Sequence, residues 1–327
     1  MEEKGHFINA LPDAGLVTLL AVVRAREVRP KRSGGFYLHL LLGDRTGDID
    51  ARAWDNVEET AKLFEPDDVV KVRGTIERYN GRTQLIVRRI RRCREEEFDE
   101  SDFSPVSEYD PEDMLGELRR RVEGMRSEPL RSLLSRMLGD DELVRALKVT
   151  PGAIRVHHPY RAGLLQHMVS VVGSASKLTE HYPRLDPDLL LAGAILHDIG
   201  KIEELTATRR LGYSTRGQLL GHVALGLEIL QRYVSGLEDF PPAIKTVLQH
   251  LIVSHHGEIE KGALREPMLA EAVVLHALDE LDARLEQVWR LIDEAPAGEE
   301  WTAYVPSLRR QLYCSLSSTA AAREKDG

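Results

Sequence analysis

Cysteine is nearly absent: the 327 residues hold only Cys93 and Cys314. Two thiols cannot build a disulfide framework or a cysteine-based zinc site, and they suit a reducing compartment. Long apolar runs are missing as well. No stretch approaches the ~18–20 residues that a membrane helix needs, so no membrane span is expected. The start, Met1-Glu2-Glu3-Lys4, is polar and acidic and lacks the basic opening and apolar run of a secretory signal. Together these absences predict a cytoplasmic protein. There is also no excess of positive charge: 44 Lys and Arg stand against 53 Asp and Glu, a net of −9. The whole surface is therefore not a general polyanion binder, and any nucleic-acid contact must come from a local basic region. What is present is ordinary globular composition, 42% apolar and 30% charged, at a length that suggests two domains.

The charge is unevenly spread. Residues 1–94 carry 18 basic against 14 acidic side chains, a net of +4, which leaves −13 for the remainder. Glu95 to Asp113 then brings ten acidic residues and no basic one, with Pro105 and Pro111 inside it. This stretch is too poor in apolar residues to form a core and reads as a linker or an extended acidic wrap. The expected division is 1–95, a linker at 96–113, a second domain at 114–294 and an extension at 295–327.

Before the linker the pattern is β. Leu16–Val28 is apolar and Val-rich, and Phe36–Leu42 follows the breaker Ser33-Gly34-Gly35. In Gly47–Trp54, Ile49, Ala51 and Ala53 alternate with polar residues. Val69–Tyr79 and Arg82–Arg91 flank Asn80-Gly81, a strong two-residue hairpin signal. A short helical stretch, Val57–Phe64, separates the third and fourth strands. Five strands with a helix in that position match the layout of an OB-fold barrel. By alternation Phe36, Leu38, Leu40 and Leu42 should be core, while Tyr37 and His39 on the second strand and Arg52 and Trp54 on the third point outward. That face of an OB-fold binds single strands by base stacking and phosphate contacts. Arg88 and Arg89, within the run Arg88-Arg89-Ile90-Arg91-Arg92-Cys93-Arg94, add basic groups, although the run could instead clamp the acidic linker.

After the linker the pattern is helical. Pro111–Met125, Pro129–Leu138, Asp140–Leu147, Leu164–His181, Asp186–His197, Leu219–Val234, Pro241–His255 and Pro267–Asp293 carry apolar residues at spacings of three and four. The expected fold class is multidomain: an all-β barrel followed by an all-α bundle. Ten of the twelve histidines lie in the helical half. The central run is Leu196-His197-Asp198-Ile199-Gly200-Lys201, in which imidazole and carboxylate sit at the end of one apolar helix. Such a donor pair suits Mn, Fe, Zn or Ni, whereas all-oxygen sites favour Mg or Ca. Around it stand His167, His222 in Gly221-His222, the pair His255-His256, and Asp279 in Leu275-His276-Ala277-Leu278-Asp279.

This order resembles the HD superfamily of metal-dependent phosphohydrolases over roughly Gly163 to Asp282. The resemblance implies that His167, His197, Asp198 and Asp279 hold one metal. The extra His222, His255 and His256 are similar to the two-metal branch, in which Asp198 bridges to a second ion. Two closely spaced cations acidify water and neutralise charge on attacking and leaving oxygens. Lys201 would stabilise phosphoryl charge or assist proton transfer beside Asp198. His250, His276 and Asp282 flank the motif, and ligation or a supporting role remains open for each. His158, in His157-His158-Pro159-Tyr160, is a candidate substrate contact or simply part of a loop.

An OB-fold joined to a C-terminal HD domain resembles the YhaM-like 3′→5′ exoribonucleases. The shared segments include Gly163-Leu164-Leu165-Gln166-His167, Ser254-His255-His256-Gly257 and Leu275 to Ala283. One departure is Glu280, where the family more often has Asn, beside a ligand position. The resemblance implies hydrolysis of single-stranded RNA, and of some single-stranded DNA, from the 3′ end to nucleoside 5′-monophosphates. It also implies a divalent cofactor, Mn2+ foremost, with Fe, Ni, Zn or Mg as alternatives. The competing reading is a phosphodiesterase or phosphatase acting on a small nucleotide. No Gly-Tyr-Pro follows His256, where the sequence is Gly257-Glu258-Ile259, and this argues against the cyclic-di-GMP branch. Trp301, Tyr304 and Tyr313 in the extension would pack on the helical domain or form a subunit contact, so a homo-oligomer stays open.

Overall fold

The computed structural model describes residues 6–31, 34–79, 82–99, 102–103, 107, 109–154, 158–207, 211–296 and 298–314. The Asn80-Gly81 turn, His157 and the end of the extension lie outside them. The chain divides into two compact units: residues 1–106 with 207–212, and residues 107–206 with 213–327.

The first unit is a closed barrel of Gly15–Pro30 (β1), Phe36–Asp44 (β2), Gly47–Ala53 (β3), Val69–Tyr79 (β4) and Arg82–Arg92 (β5). Its strand order is β1-β2-β3-β5-β4, with the short helix Val57–Ala61 (α1) between β3 and β4. Closure comes from the parallel β3–β5 pairing at Asp50↔Gln84 to Arg52↔Ile86 and from β1 pairing with both β2 and β4. Alternation works as the sequence suggests: Leu38, Leu40, Leu42 and Ala51 are buried inside the barrel with Leu19 and Leu85. Phe36 is the exception and is 60% exposed rather than core. β1 and β2 pair out to Pro30↔Phe36, but β3 stops at Ala53 opposite Leu38, so no third strand covers the end of the ribbon.

The start of the acidic segment packs on this barrel. Phe98 and Phe103 meet edge to face at 5.5 Å and join Val22, Val69 and Cys93 in a small apolar cluster. Glu97 accepts from Arg91 at 2.7 Å and also pairs with Arg94, while Arg92 pairs with Asp68 at 2.9 Å. Three arginines of the run therefore hold the chain's own carboxylates, and only Arg88 and Arg89 are left from the basic stretch.

The second unit is built from Pro111–Glu123 (α2), Glu128–Leu138 (α3), Asp141–Leu147 (α4), Gly163–His181 (α5), Pro187–Leu196 (α6), Lys201–Glu204 (α7), Thr215–Val234 (α8), Pro242–Ser254 (α9) and Ala270–Asp293 (α10). Asp110, Asp140, Asp186 and Ser214 cap the first turns of α2, α4, α6 and α8. α6 is apolar nearly all round, which fits its place at the centre of the core against α5, α9 and α10. α7 and the three-residue strands Leu205–Ala207 (β6) and Leu211–Tyr213 (β7) have no counterpart in the sequence pattern, since such short elements carry no measurable period. Within the extension Trp301 and Tyr313 bridge, with rings 5.1 Å apart, and Trp301, Tyr304 and Tyr313 are all exposed. Among the described residues no helix is long and apolar enough to cross a membrane.

Candidate metal centre and nucleic-acid interface

α6 ends at Leu196, which puts His197 and Asp198 at the rim of the helical core, where both are buried. Gly200 then lets the turn into α7 pass close under α8, because a Cβ there would collide with the His222 carbonyl oxygen. α8 is kinked at Gly221, whose φ of 72° and ψ of 161° lie in a region open to glycine. The kink delivers His222 to the same rim. His255 and His256 follow the last residue of α9, and Asp279 lies on α10.

His167, His197, His222 and His255 surround Asp198, and its two oxygens face different neighbours. Oδ2 lies 3.5 Å from His197 Nε2 and 3.7 Å from His167 Nε2. Asp279 Oδ1 completes that side, 3.3 Å from His167 Nε2 and 3.8 Å from His197 Nε2. Oδ1 lies 3.5 Å from His222 Nε2 and 3.7 Å from His255 Nε2, and His256 Nε2 is 3.2 Å from His222 Nε2. His167, His197, Asp198 and Asp279 form one metal-competent group, and His222, His255 and His256 form another. Lys201 Nζ donates to Asp198 Oδ2 at 2.6 Å.

The back of four of the five rings is held; His256 Nδ1 is buried without a hydrogen-bond partner. His197 Nδ1 donates to Ala194 O at 3.1 Å, His255 Nδ1 to Ile252 O at 2.8 Å, and His222 Nδ1 to Glu204 Oε1 at 3.2 Å. His167 Nδ1 donates to Asp282 Oδ2 at 2.7 Å. Tying up Nδ1 leaves Nε2 aimed at the cluster, the usual arrangement behind a ligating histidine. His255 Nε2 is buried without a hydrogen-bond partner, a loss that a cation at that spot would remove. The donor set therefore fits divalent metal of the nitrogen-and-oxygen-binding kind.

The electrostatics agree. Burial holds His255 down at about 3 and also lowers His197 and His256, so these rings stay neutral at physiological pH and keep a lone pair. Burial opposes a charge on His167 too, but its hydrogen bonds to Asp279 and Asp282 outweigh that and raise it to about 9. Burial likewise opposes ionisation of Asp198. Lys201 and the surrounding histidines nevertheless hold its carboxyl well below the usual range.

The structure also gives contacts to Asp282 and His158, whose roles the sequence left open, and supplies Glu204, which the sequence did not single out. Asp282, one turn beyond Asp279, accepts from His167 and from Ser170, and His158 Nε2 lies 3.1 Å from the same carboxylate. His158 is buried and its Nδ1 is 2.5 Å from Tyr160 Oη. It therefore braces the His167–Asp282 pair, and His158, His167 and Asp282 form a third metal-competent group. Glu204 accepts from both the backbone N and Nδ1 of His222. His276 Nδ1 donates to His255 O at 2.8 Å, and His250 Nε2 accepts from Met268 N at 2.9 Å, so neither ring faces the cluster with that nitrogen. No short-range sequence signal marks Glu204, whose partner His222 lies 18 positions further along the chain.

On the barrel, Tyr37 stacks on Trp54 at 4.9 Å and the Arg52 guanidinium lies over the Tyr37 ring at 5.9 Å. His39 faces outward opposite Arg52, but Asp50 holds its Nε2 at 2.8 Å. Arg88 and Arg89 are both exposed, because a register shift opposite Arg73 and Gly74 inserts Arg88 as an extra residue in β5. Arg88 Nε donates to Thr75 Oγ1 at 3.0 Å.

Residues 164–284 match the HD domain family, and residues 17–92 match the OB-fold nucleic acid binding domain family. The 3'-5' exoribonuclease YhaM of Geobacillus sp. (strain WCH70) is 33% identical over 296 residues, 90% of each chain. The 3'-5' exoribonuclease YhaM of Bacillus subtilis (strain 168) is 34% identical over 268 residues, 82% of this chain and 84% of its own. Among solved structures, the wild-type single-stranded DNA binding protein from Thermus aquaticus is similar over 24% of this chain and 40% of its own, at 21% identity and a TM-score of 0.22. An HD domain, an OB-fold and this degree of identity over nearly the whole length give one conclusion: the chain belongs to the YhaM family of 3′-5′ exoribonucleases.

Proposed function

We propose that this chain hydrolyses single-stranded RNA, and single-stranded DNA as a second substrate, from the 3′ end to nucleoside 5′-monophosphates in the cytoplasm. The observation that carries the reading is the division of Asp198, with one oxygen towards His167 and His197 and the other towards His222 and His255. His167, His197, Asp198 and Asp279 would hold one cation. Asp198 with His222, His255 and His256 would hold a second. The mixed imidazole and carboxylate donors favour Mn2+ over Mg2+. When bound, such a pair supplies an acidified water and positive charge at the phosphoryl oxygens.

The chain's own groups do the rest. Lys201 is buried beside Asp198, which keeps its ammonium charged and in place to face a phosphoryl oxygen. The neutral rings of His197 and His255 keep their Nε2 lone pairs free of protons. The barrel holds the upstream strand by stacking on Tyr37 and Trp54 and by phosphate contacts from Arg52, Arg88 and Arg89, with His39 beside them. Such contacts discriminate weakly between bases.

The test is a metal-screened assay on RNA labelled at either end. Mononucleotide release from the 3′-labelled end, with progressive shortening of the 5′-labelled strand and no reaction on 3′-blocked RNA, is expected. Turnover of small nucleotides with intact oligomers would support the phosphatase alternative instead.

A further inference from the structure

β4 and β5 bring four cations into direct opposition on the outside of the barrel. Lys71 pairs with Arg91 and Arg73 with Arg89, in neighbouring register along the same antiparallel ladder. Residues two apart on a strand share a face, about 6.6 Å apart. Like charges directly across a ladder destabilise the pairing. An amphipathic strand would normally place acids there, yet among the described residues neither Arg73 nor Arg89 has an ion-pair partner, and both are exposed. Glu97 compensates Arg91, but the Arg73–Arg89 pair breaks the local rule without such an acid, and an uncompensated break of this kind marks a functional surface.

The grid borders a cleft. β5 pairs with β3 only as far as Arg52↔Ile86 and then runs on to Arg92, while the chain turns away from β3 through Trp54 and Asp55 into α1. The space between them is about 1490 Å³ and is lined by Trp54, Lys71, Arg73, Arg88, Arg89 and Arg91, with Asp55 as its acidic side chain. Trp54 thus belongs to two surfaces at once: it stacks on Tyr37 and forms a wall of the cleft.

We infer that the phosphate backbone of a single strand follows this cleft, with Lys71 and Arg73 of β4 as contacts alongside Arg88 and Arg89, and with Trp54 marking where the strand passes to the Tyr37 face. The inference rests on the reading that the chain binds single-stranded RNA. It extends the electrostatic track of Arg88 and Arg89 on β5 to Lys71 and Arg73 on β4. A flexible polyanion suits the site because it can present successive charges to a row of cations, while Trp54 offers a ring to a base.

The experiment is fluorescence anisotropy of a 5′-fluorescein oligouridine on the full chain in EDTA, over about 50–200 mM salt. Arg73→Glu combined with Lys71→Glu should weaken binding by tenfold or more, and the salt slope should fall by about 0.7 for each phosphate that is no longer neutralised. Arg73→Glu places an acid opposite Arg89, so a thermal melt no lower than wild type shows that the weaker binding is not unfolding, and Arg73→Gln should give a smaller effect in the same direction. Affinity and slope unchanged in these variants, with Tyr37→Ala weakening binding, would overturn the cleft and leave the proposed function standing. Displacement of the oligonucleotide by polyglutamate at equal charge would also overturn it, pointing to an acidic protein partner. A wild-type chain that neither binds nor shortens RNA defeats the parent reading and this inference with it.

Discussion

Asp282 and His167 form a hydrogen bond of 2.7 Å between α10 and α5, with Asp282 one turn beyond Asp279. The carboxylate fixes the proton on Nδ1 and aims Nε2 at Asp279 and Asp198. Replacing it by alanine leaves His167 free to choose its tautomer and removes the partner of His158 and Ser170. We expect Asp282→Ala to weaken metal binding by about 10–100-fold, the usual effect of losing such a support. Calorimetric titration with Mn2+ checks this, and unchanged affinity would show that packing alone orients the ring.

Asp198 lies between the two groups of histidines, so its loss should disable both at once. Asp198→Ala is expected to abolish hydrolysis and to cut the amount of metal retained, while binding of oligonucleotide in EDTA stays near wild type. Metal content by mass spectrometry beside anisotropy separates the two effects. Normal turnover in this variant would end the metal-site assignment.

Gly200 approaches the His222 carbonyl too closely for any side chain. Gly200→Ala must push α8 away from α7 and shift His222 with it. Overpacking of this kind costs about 1–3 kcal/mol. A melting temperature several degrees lower, with turnover reduced more than stability predicts, is the expected outcome. Wild-type values for both would mean that the packing of α7 on α8 adjusts without moving the ring.

Part of this site was legible because His197, Asp198, His255 and His256 sit at helix ends that punctuation marks, whereas His167, His222 and Asp279 lie within helices. Leu189 to Leu196 is apolar, Gly200 breaks it, and the His-Asp pair falls between. The barrel was legible for a related reason: the alternation of Leu38, Leu40 and Leu42 states which face is buried. Asp282, Glu204 and His158 were harder. Asp282 meets His158 across 124 positions, and pairings of that range leave no periodic trace. Lys71 and Arg73 look like ordinary polar residues of an alternating strand until the register sets them against Arg91 and Arg89. Phe36 failed for the same cause, since alternation names a face but not where the neighbouring strand stops.

The pH response of the metal-stripped protein follows from His167. Its folded value of about 9 lies above the ~6.5 of a free imidazole. A raised value means that the folded state holds the proton more tightly. The stabilisation is therefore complete below ~6.5 and is lost as pH rises through about 9. His255, held down at about 3, acts in the opposite sense and penalises folding as pH falls below ~6.5, where unfolded rings take up protons. Stability in EDTA should accordingly peak near 6.5 and decline on both sides. Metal at His167 Nε2 must displace a proton, so the gain in melting temperature on adding Mn2+ should grow from pH 6.5 to 9. Thermal melts with and without metal across that window check both signs. A metal increment that stays flat or shrinks as pH rises would show that His167 is not a proton-competing ligand.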